Sequence, residues 1–161
     1  MNLRQKIQFR KQIRELEAIR GRHTELVSVY IPVGYDLIKI IQHLQQEQGT
    51  ASNIKDARTR NNVNDSLEKM IRHLRLFKKT PPNGLAVFAG NNSSSDNKVT
   101  INVWSIEPPV PLNFRLYRCE QTFMLDPLKE ILEHRSVYGL LVLDKREASI
   151  GLLNGSAVEE L

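Results

Sequence analysis

The 161-residue chain has one cysteine, Cys119, and so no internal disulfide; with no CxxC or CxxH spacing it gives no zinc signal either. Aromatic residues make up 6%, with a single tryptophan, and no apolar run approaches the roughly 20 residues of a membrane-spanning helix. The stretch from Met1 to Arg22 is polar and charged throughout, unlike a secretory signal. The four histidines (His23, His43, His73, His134) are scattered, and none stands at a catalytic spacing from the cysteine. No nucleophile–base pair or metal cluster is visible, so neither a cofactor nor an autonomous nuclease or hydrolase is expected. These absences predict a reduced, cytoplasmic protein that does not enter a membrane.

What is present fits a packed, basic protein. A hydrophobic fraction of 40% supports a core, and the length suits one domain or one domain plus part of a second. The formal charge of +5 and a pI near 9.5 are compatible with an anionic partner, although a small basic excess is common.

The pattern predicts an α+β fold. Residues 2–20 read as a helix, with Leu3, Ile7, Ile13, Leu16 and Ile19 at helical spacing and Gly21 as its stop. Leu26–Ile31 reads as a buried strand ended by Pro32. Helical spacing returns from Tyr35 to Gln48, with Gly49 as the stop, and again from Ala57 to Phe77 through Val63, Leu67, Met70, Ile71 and Leu74. The segment 50–56 therefore falls at the tip of a long helical hairpin. After the Pro81–Gly84 turn, strands are expected at 85–89, 99–104 and 114–119, with a polar hairpin tip at Gly90–Asn97 and a proline-rich connector at Glu107–Pro111. These strands and 26–31 make one four-stranded, mainly antiparallel sheet packed against helices. Trp104 and Phe114 are assigned to the core. A short helix is expected at Pro127–Arg135, then apolar strands at 138–144 and 149–153 around Asp144-Lys145-Arg146-Glu147.

Two strings stand out. Gly49-Thr50-Ala51-Ser52-Asn53-Ile54-Lys55-Asp56 differs only at its last position from the GTASNIKS form of a known loop, and Tyr117-Arg118-Cys119-Glu120-Gln121-Thr122-Phe123 fits a YxCxxxF pattern. Together, in this order, they resemble the N-terminal domain of the archaeal and eukaryotic class-1 translation release factors. The general look of the 78–90 stretch favours an archaeal source. The resemblance implies a stop-codon recognition domain at 1–136 and, after a linker near His134 to Ser136, the truncated beginning of a central domain at 137–161. That central domain's Gly-Gly-Gln, which acts on the peptidyl-tRNA ester, has no counterpart here, since no Gly-Gly pair occurs. The implied partners are the stop codon of mRNA, small-subunit ribosomal RNA and, through missing domains, a translational GTPase of the elongation-factor type. A monomer with no cofactor is expected, and the chain alone is not expected to be an enzyme. A free-standing RNA-binding accessory protein reusing the fold is the alternative.

The residue chemistry suits single-stranded RNA, which is read through base edges, stacking and phosphate contacts. Lys55 has donors only and can serve the O4 of uracil, where cytosine presents an amine. Asn53 offers a donor and an acceptor, and Ile54 an apolar face. Thr50, Ser52 and Asp56 complete the loop. By the resemblance Glu47 contacts purines: a carboxylate accepts from adenine N6 and is repelled by guanine O6. Thr24 aligns with the threonine of the family's Gly-Thr-Ser turn, here His23-Thr24-Glu25, and its hydroxyl can serve either purine. Tyr117 brings a ring and a hydroxyl. Cys119 and Phe123 are expected to alternate on the same strand face and shape the pocket, while Arg58 and Arg60 are placed to meet phosphates. Each has a plainer reading as well: an N-cap loop at 52–53, a solvated basic face at Lys55 and Arg58, a small buried hydrophobe at Cys119, a core ring at Phe123 and an ordinary helix-end carboxylate at Glu47. At Asp56, where the family has serine, two readings stand: a better helix cap, or an altered codon preference.

Overall fold

The computed structural model describes residues 1–95, 97–134, 137–143, 148–154 and 157–160, and they fall into two compact units. The larger, Arg14–Met124, holds the four-stranded sheet and the helical hairpin. Its central strand β1 (Leu26–Ile31) is buried along its whole length, as its largely apolar sequence, broken only by Ser28, requires. It pairs on one side with β2 (Leu85–Asn91) and on the other with β4 (Leu116–Glu120), and β3 (Ile101–Ile106) adds to β2. The order is β3-β2-β1-β4, and every pairing is antiparallel.

The period-2 rule divides the sheet into two faces. One presents Val27, Val29, Ile31, Leu85, Val87 and Ala89 to α2 (Leu37–Ala51) and α3 (Ala57–Leu74), which contribute Leu37, Ile40, Leu44, Val63, Leu67, Met70, Ile71 and Leu74. The reverse face is aromatic: the Tyr30 and Phe88 rings meet edge to face at 5.9 Å, and Phe123 meets Phe88 at 5.5 Å and Trp104 at 5.7 Å. The Tyr30 hydroxyl donates to the Met124 carbonyl at 2.5 Å, and Ser28 Oγ accepts from the Met124 amide at 2.9 Å, clipping the chain beyond β4 onto the central strand.

Several expectations are corrected. Helix α1 (Leu3–Glu17) ends before the expected Arg20, because Arg20 pairs with Thr122 as an isolated bridge and the Gly21 amide donates to Gln121 O at 2.8 Å. Its buried positions are Phe9, Ile13 and Leu16, while Leu3 and Ile7 are exposed. Gly49 does not end α2. The helix runs through it to Ala51, so Thr50 is helical; a glycine costs a helix only about 1 kcal/mol, and the buried Ala51 rewards the extra turn. Strand β3 starts at Ile101 because Asn91 Oδ1 accepts from both the Ser93 and Thr100 amides, leaving Val99 exposed outside the ladder. Phe114 precedes β4 and is 39% exposed, its ring resting on Tyr30 at 5.4 Å rather than in the core, and Trp104 is half-buried. Asp96 of the expected hairpin tip lies outside the described residues.

The second unit comprises residues 1–13 and those from 125 onward. It contains α4 (Asp126–His134), with Pro127 in its first turn, and an antiparallel sheet of β5 (Val137–Leu143), β6 (Ala148–Asn154) and β7 (Ala157–Glu160). The short, half-acidic β7 was not anticipated from its pattern. The expected linker residues 135–136 and tip 144–147 lie outside the described residues.

Gly84 is required where it stands. Its φ is +81°, and a Cβ there would collide with the Ile31 carbonyl and meet Leu112 Cβ at 3.2 Å. Gly49, by contrast, has open space around the position of a Cβ. Gly84→Ala should therefore cost roughly 2 kcal/mol or more in urea unfolding, whereas Gly49→Ala should raise stability by about 0.5–1 kcal/mol.

Candidate functional site

The hairpin loop is held from both sides. At the end of α2, Thr50 Oγ1 donates to Gln46 O at 3.4 Å and Ser52 Oγ to Gln48 O at 3.2 Å, each reaching back one turn. The Asn53 and Ile54 amides then close on the carbonyls of Thr50 and Ala51 at 3.1 and 3.0 Å. Ile54 packs against the sheet–helix core and anchors the loop between two exposed residues, Asn53 and Lys55. Lys55 forms no ion pair or hydrogen bond among the described residues, so its ammonium is available.

Asp56 is the N-cap of α3. Its Oδ2 accepts from the Thr59 amide at 2.9 Å and from Thr59 Oγ1 at 2.6 Å. These bonds from Thr59 hold the carboxyl below the ordinary aspartate range, with smaller help from His23 and Arg58. The cap reading of this position is therefore realised in the geometry. Arg58 lies near that carboxylate with its Nε enclosed and without a hydrogen-bond partner. Arg60, expected to face a phosphate, instead donates from Nη1 to the Ile54 carbonyl at 3.1 Å. It braces the loop from inside because, one turn along α3 from the Asp56 cap, its guanidinium reaches back over the chain reversal.

A second group forms where α2 crosses β4. Tyr117 and Cys119 both pack on the helix-covered face, with the Tyr117 hydroxyl 3.1 Å from Cys119 Sγ. His43 Nε2 lies 3.2 Å from the Glu47 carboxylate, and the His43 ring stands edge-on to Tyr117 at 5.5 Å and 71°. Burial pushes the Tyr117 hydroxyl far above its ordinary pKa, assisted by Cys119 and by the negative charge of Glu47. Burial also raises the Cys119 thiol; the Tyr117 hydrogen bond opposes this and Glu47 reinforces it. Both groups stay neutral at physiological pH, so Cys119 offers no thiolate for chemistry. Among the described residues no cluster of three or more His, Cys, Asp or Glu could hold a metal ion.

Phe123 does not belong with them. It lies beyond the end of β4, where strand alternation no longer applies, and is buried on the reverse face against Phe88 and Trp104.

Thr24 is exposed in the 22–24 bend, and Glu25 positions it. The Glu25 side chain is 3% exposed; Oε2 accepts from Asn62 Nδ2 of α3 at 3.0 Å and Oε1 from the Arg22 amide at 3.3 Å. Gln121 Nε2 donates to Arg22 O at 3.2 Å, so the turn is tied to α3 and to the segment after β4 together. A Cβ at Gly21 would meet His23 O at 2.8 Å, which requires glycine at the base of the turn. Glu25 and Asn62 were not singled out from the sequence. The legible signal was polar Thr59, Asn62 and Ser66 lying within the buried stripe of α3.

The geometry thus gathers His43, Glu47, Tyr117 and Cys119 into one cluster beside a loop presenting Asn53 and Lys55, with the Thr24 turn fixed to the same helix α3. The family model described as eRF1 domain 1 matches residues 4–133. The chain belongs to the eRF1 domain 1 family. It is 53% identical over 154 residues to peptide chain release factor subunit 1 of Pyrococcus abyssi, covering 96% of this chain and 37% of that protein. The corresponding protein of Methanopyrus kandleri is 43% identical over 156 residues, covering 96% of this chain and 38% of its own length. Among solved structures, one titled as the crystal structure of archaeal translation termination factor aRF1 superposes with a TM-score of 0.72 at 31% identity, over 97% of this chain and 43% of that one. This eRF1 domain 1 chain therefore spans little more than a third of the length of these curated relatives. No helix among the described residues is long and apolar enough to cross a membrane.

Two outcomes follow for this eRF1 domain 1 chain. Asp56 contributes stability above the ordinary aspartate pKa of 3.8 and loses it as pH falls through its lower folded value. The advantage in melting temperature of the parent over Asp56→Asn should therefore be present at pH 6 and shrink as the pH is taken below 3.8. Asn62→Ala should strand the buried Glu25 carboxylate and cost roughly 1.5–3 kcal/mol in denaturant unfolding.

Proposed function

We propose that this chain reads stop codons in the ribosomal decoding site as the N-terminal part of a class-1 release factor and so serves translation termination. The observation that carries this reading is the convergence of Glu47, Tyr117 and Cys119 into one cluster beside the free Lys55 and Asn53, in a chain of the eRF1 domain 1 family. Lys55 donates to uracil O4 at the invariant first position, with Asn53 beside it. Glu47 favours adenine through its N6 amine, and the Thr24 hydroxyl tolerates either purine. Tyr117 supplies a ring edge and Cys119 shapes its surroundings. Lys55 and Arg58 add positive charge for phosphates, while Ile54, Ser52, Thr50, Asp56 and Arg60 keep the loop in shape.

The hydrolytic step belongs to a part of the intact factor outside this chain, which contains no Gly-Gly pair. Strands β5–β7 are the opening of that following domain. The intact factor acts as a monomer on mRNA and small-subunit ribosomal RNA, with a translational GTPase engaged mainly through other domains.

The test places this chain in the matching region of the full-length Pyrococcus abyssi relative and measures peptide release on ribosomes programmed with UAA, UAG or UGA. Lys55→Ala should lower release on all three by roughly 10- to 100-fold with unchanged circular dichroism, the loss of one base contact worth about 1–3 kcal/mol. Unchanged release would sink the reading. In the same chimera Asp56→Ser should alter the relative rates on the three codons, and identical ratios would leave Asp56 with its capping role alone.

A further inference from the structure

His43 enters none of the contacts assigned above to the codon, yet it stands between two groups that do. It lies one turn before Glu47 on α2, the i,i+4 spacing at which helix side chains meet. Its Nε2 is 3.2 Å from Glu47 Oε1, and its ring packs edge-on against Tyr117 at 5.5 Å. Both His43 and Glu47 keep side chains 29% exposed, so the pair sits at the surface of the cluster. Tyr117 is held in turn through its hydroxyl on Cys119. One imidazole thus touches a carboxylate with a ring nitrogen and an aromatic ring with its edge.

We propose that His43 is a specificity-determining positioning residue: by standing against Glu47 Oε1 and bracing Tyr117, it leaves Glu47 Oε2 as the acceptor presented to an adenine amine. The inference rests on the codon-reading function proposed above. A carboxylate free to rotate also binds water or a guanine amine at other angles, whereas one with a single oxygen covered by its neighbour offers a directed acceptor. Discrimination between adenine and guanine then depends on a residue that touches neither base. His43→Leu keeps apolar bulk beside Tyr117 but removes the ring nitrogen that faces Glu47. His43→Gln keeps a polar nitrogen at the same i,i+4 spacing without the ring edge.

The experiment uses the chimeric full-length factor described above and measures kcat/KM for peptide release on UAA and on the near-cognate UGG. His43→Leu should narrow the UAA-to-UGG ratio about tenfold, the worth of one directed base contact. His43→Gln should recover most of that ratio, and the melting temperatures of the two variants should agree, since a merely structural role would move the melting temperature and spare the ratio. A Glu47→Ala arm separates the two ideas. If Glu47→Ala changes the ratio and His43→Leu does not, the role of His43 is overturned while the codon-reading site stands. If Glu47→Ala leaves the ratio unchanged as well, the assignment of Glu47 to the codon fails and this inference with it.

Discussion

The structure depends on the complete burial of β1. A strand paired on both edges and covered on both faces has no freedom of register, because a one-residue slip would exchange its two sets of side chains. Val27, Val29 and Ile31 must meet the helical hairpin, and Ser28 and Tyr30 must meet the clip formed by Met124. The register with β4, Val27 against Cys119 and Val29 against Tyr117, fixes where the motif residues of β4 emerge beneath α2. The position of Glu47 over Tyr117 is thus a consequence of core packing rather than of any direct bond between them.

That arrangement divides labour between rigid and presented groups. Ile54, Arg60, Asp56, Glu25 and Asn62 spend their hydrogen bonds or apolar surface inside the domain. Lys55, Asn53 and Thr24 are left exposed on segments that cannot easily rearrange. For the codon-reading role proposed above, such a surface avoids ordering its loop at the moment of binding, which would otherwise be subtracted from affinity.

Much of this could be read from the chain. The apolar run of β1, the stripe of α3 and the two motif strings are local patterns, and each has a structural counterpart at or near the expected residues. What the sequence hid were competitions and long-range pairings. Gly49 carries a local stop signal that lost to the burial of Ala51. Phe123 follows Cys119 at even spacing, but alternation ends with the strand at Glu120 and the ring turns to the other face. Arg60 looks like any exposed cation until the loop folds back and offers it the Ile54 carbonyl. The Glu25–Asn62 bond joins residues whose partnership only tertiary structure reveals. His43 and Glu47 were legible as an i,i+4 pair, but Tyr117, the third member, comes from another element.

The bracing of the loop by α3 bears on how such an element could be inherited or transplanted. The shape of 52–56 is written partly downstream, in Thr59 that receives the cap and Arg60 that grips the Ile54 carbonyl. A graft ending at Asp56 would carry the letters of the signature without its conformation. The transferable cassette runs from the last turn of α2 through Arg60, and exchange between homologues by recombination would preserve the loop's shape only when the crossover falls outside that interval.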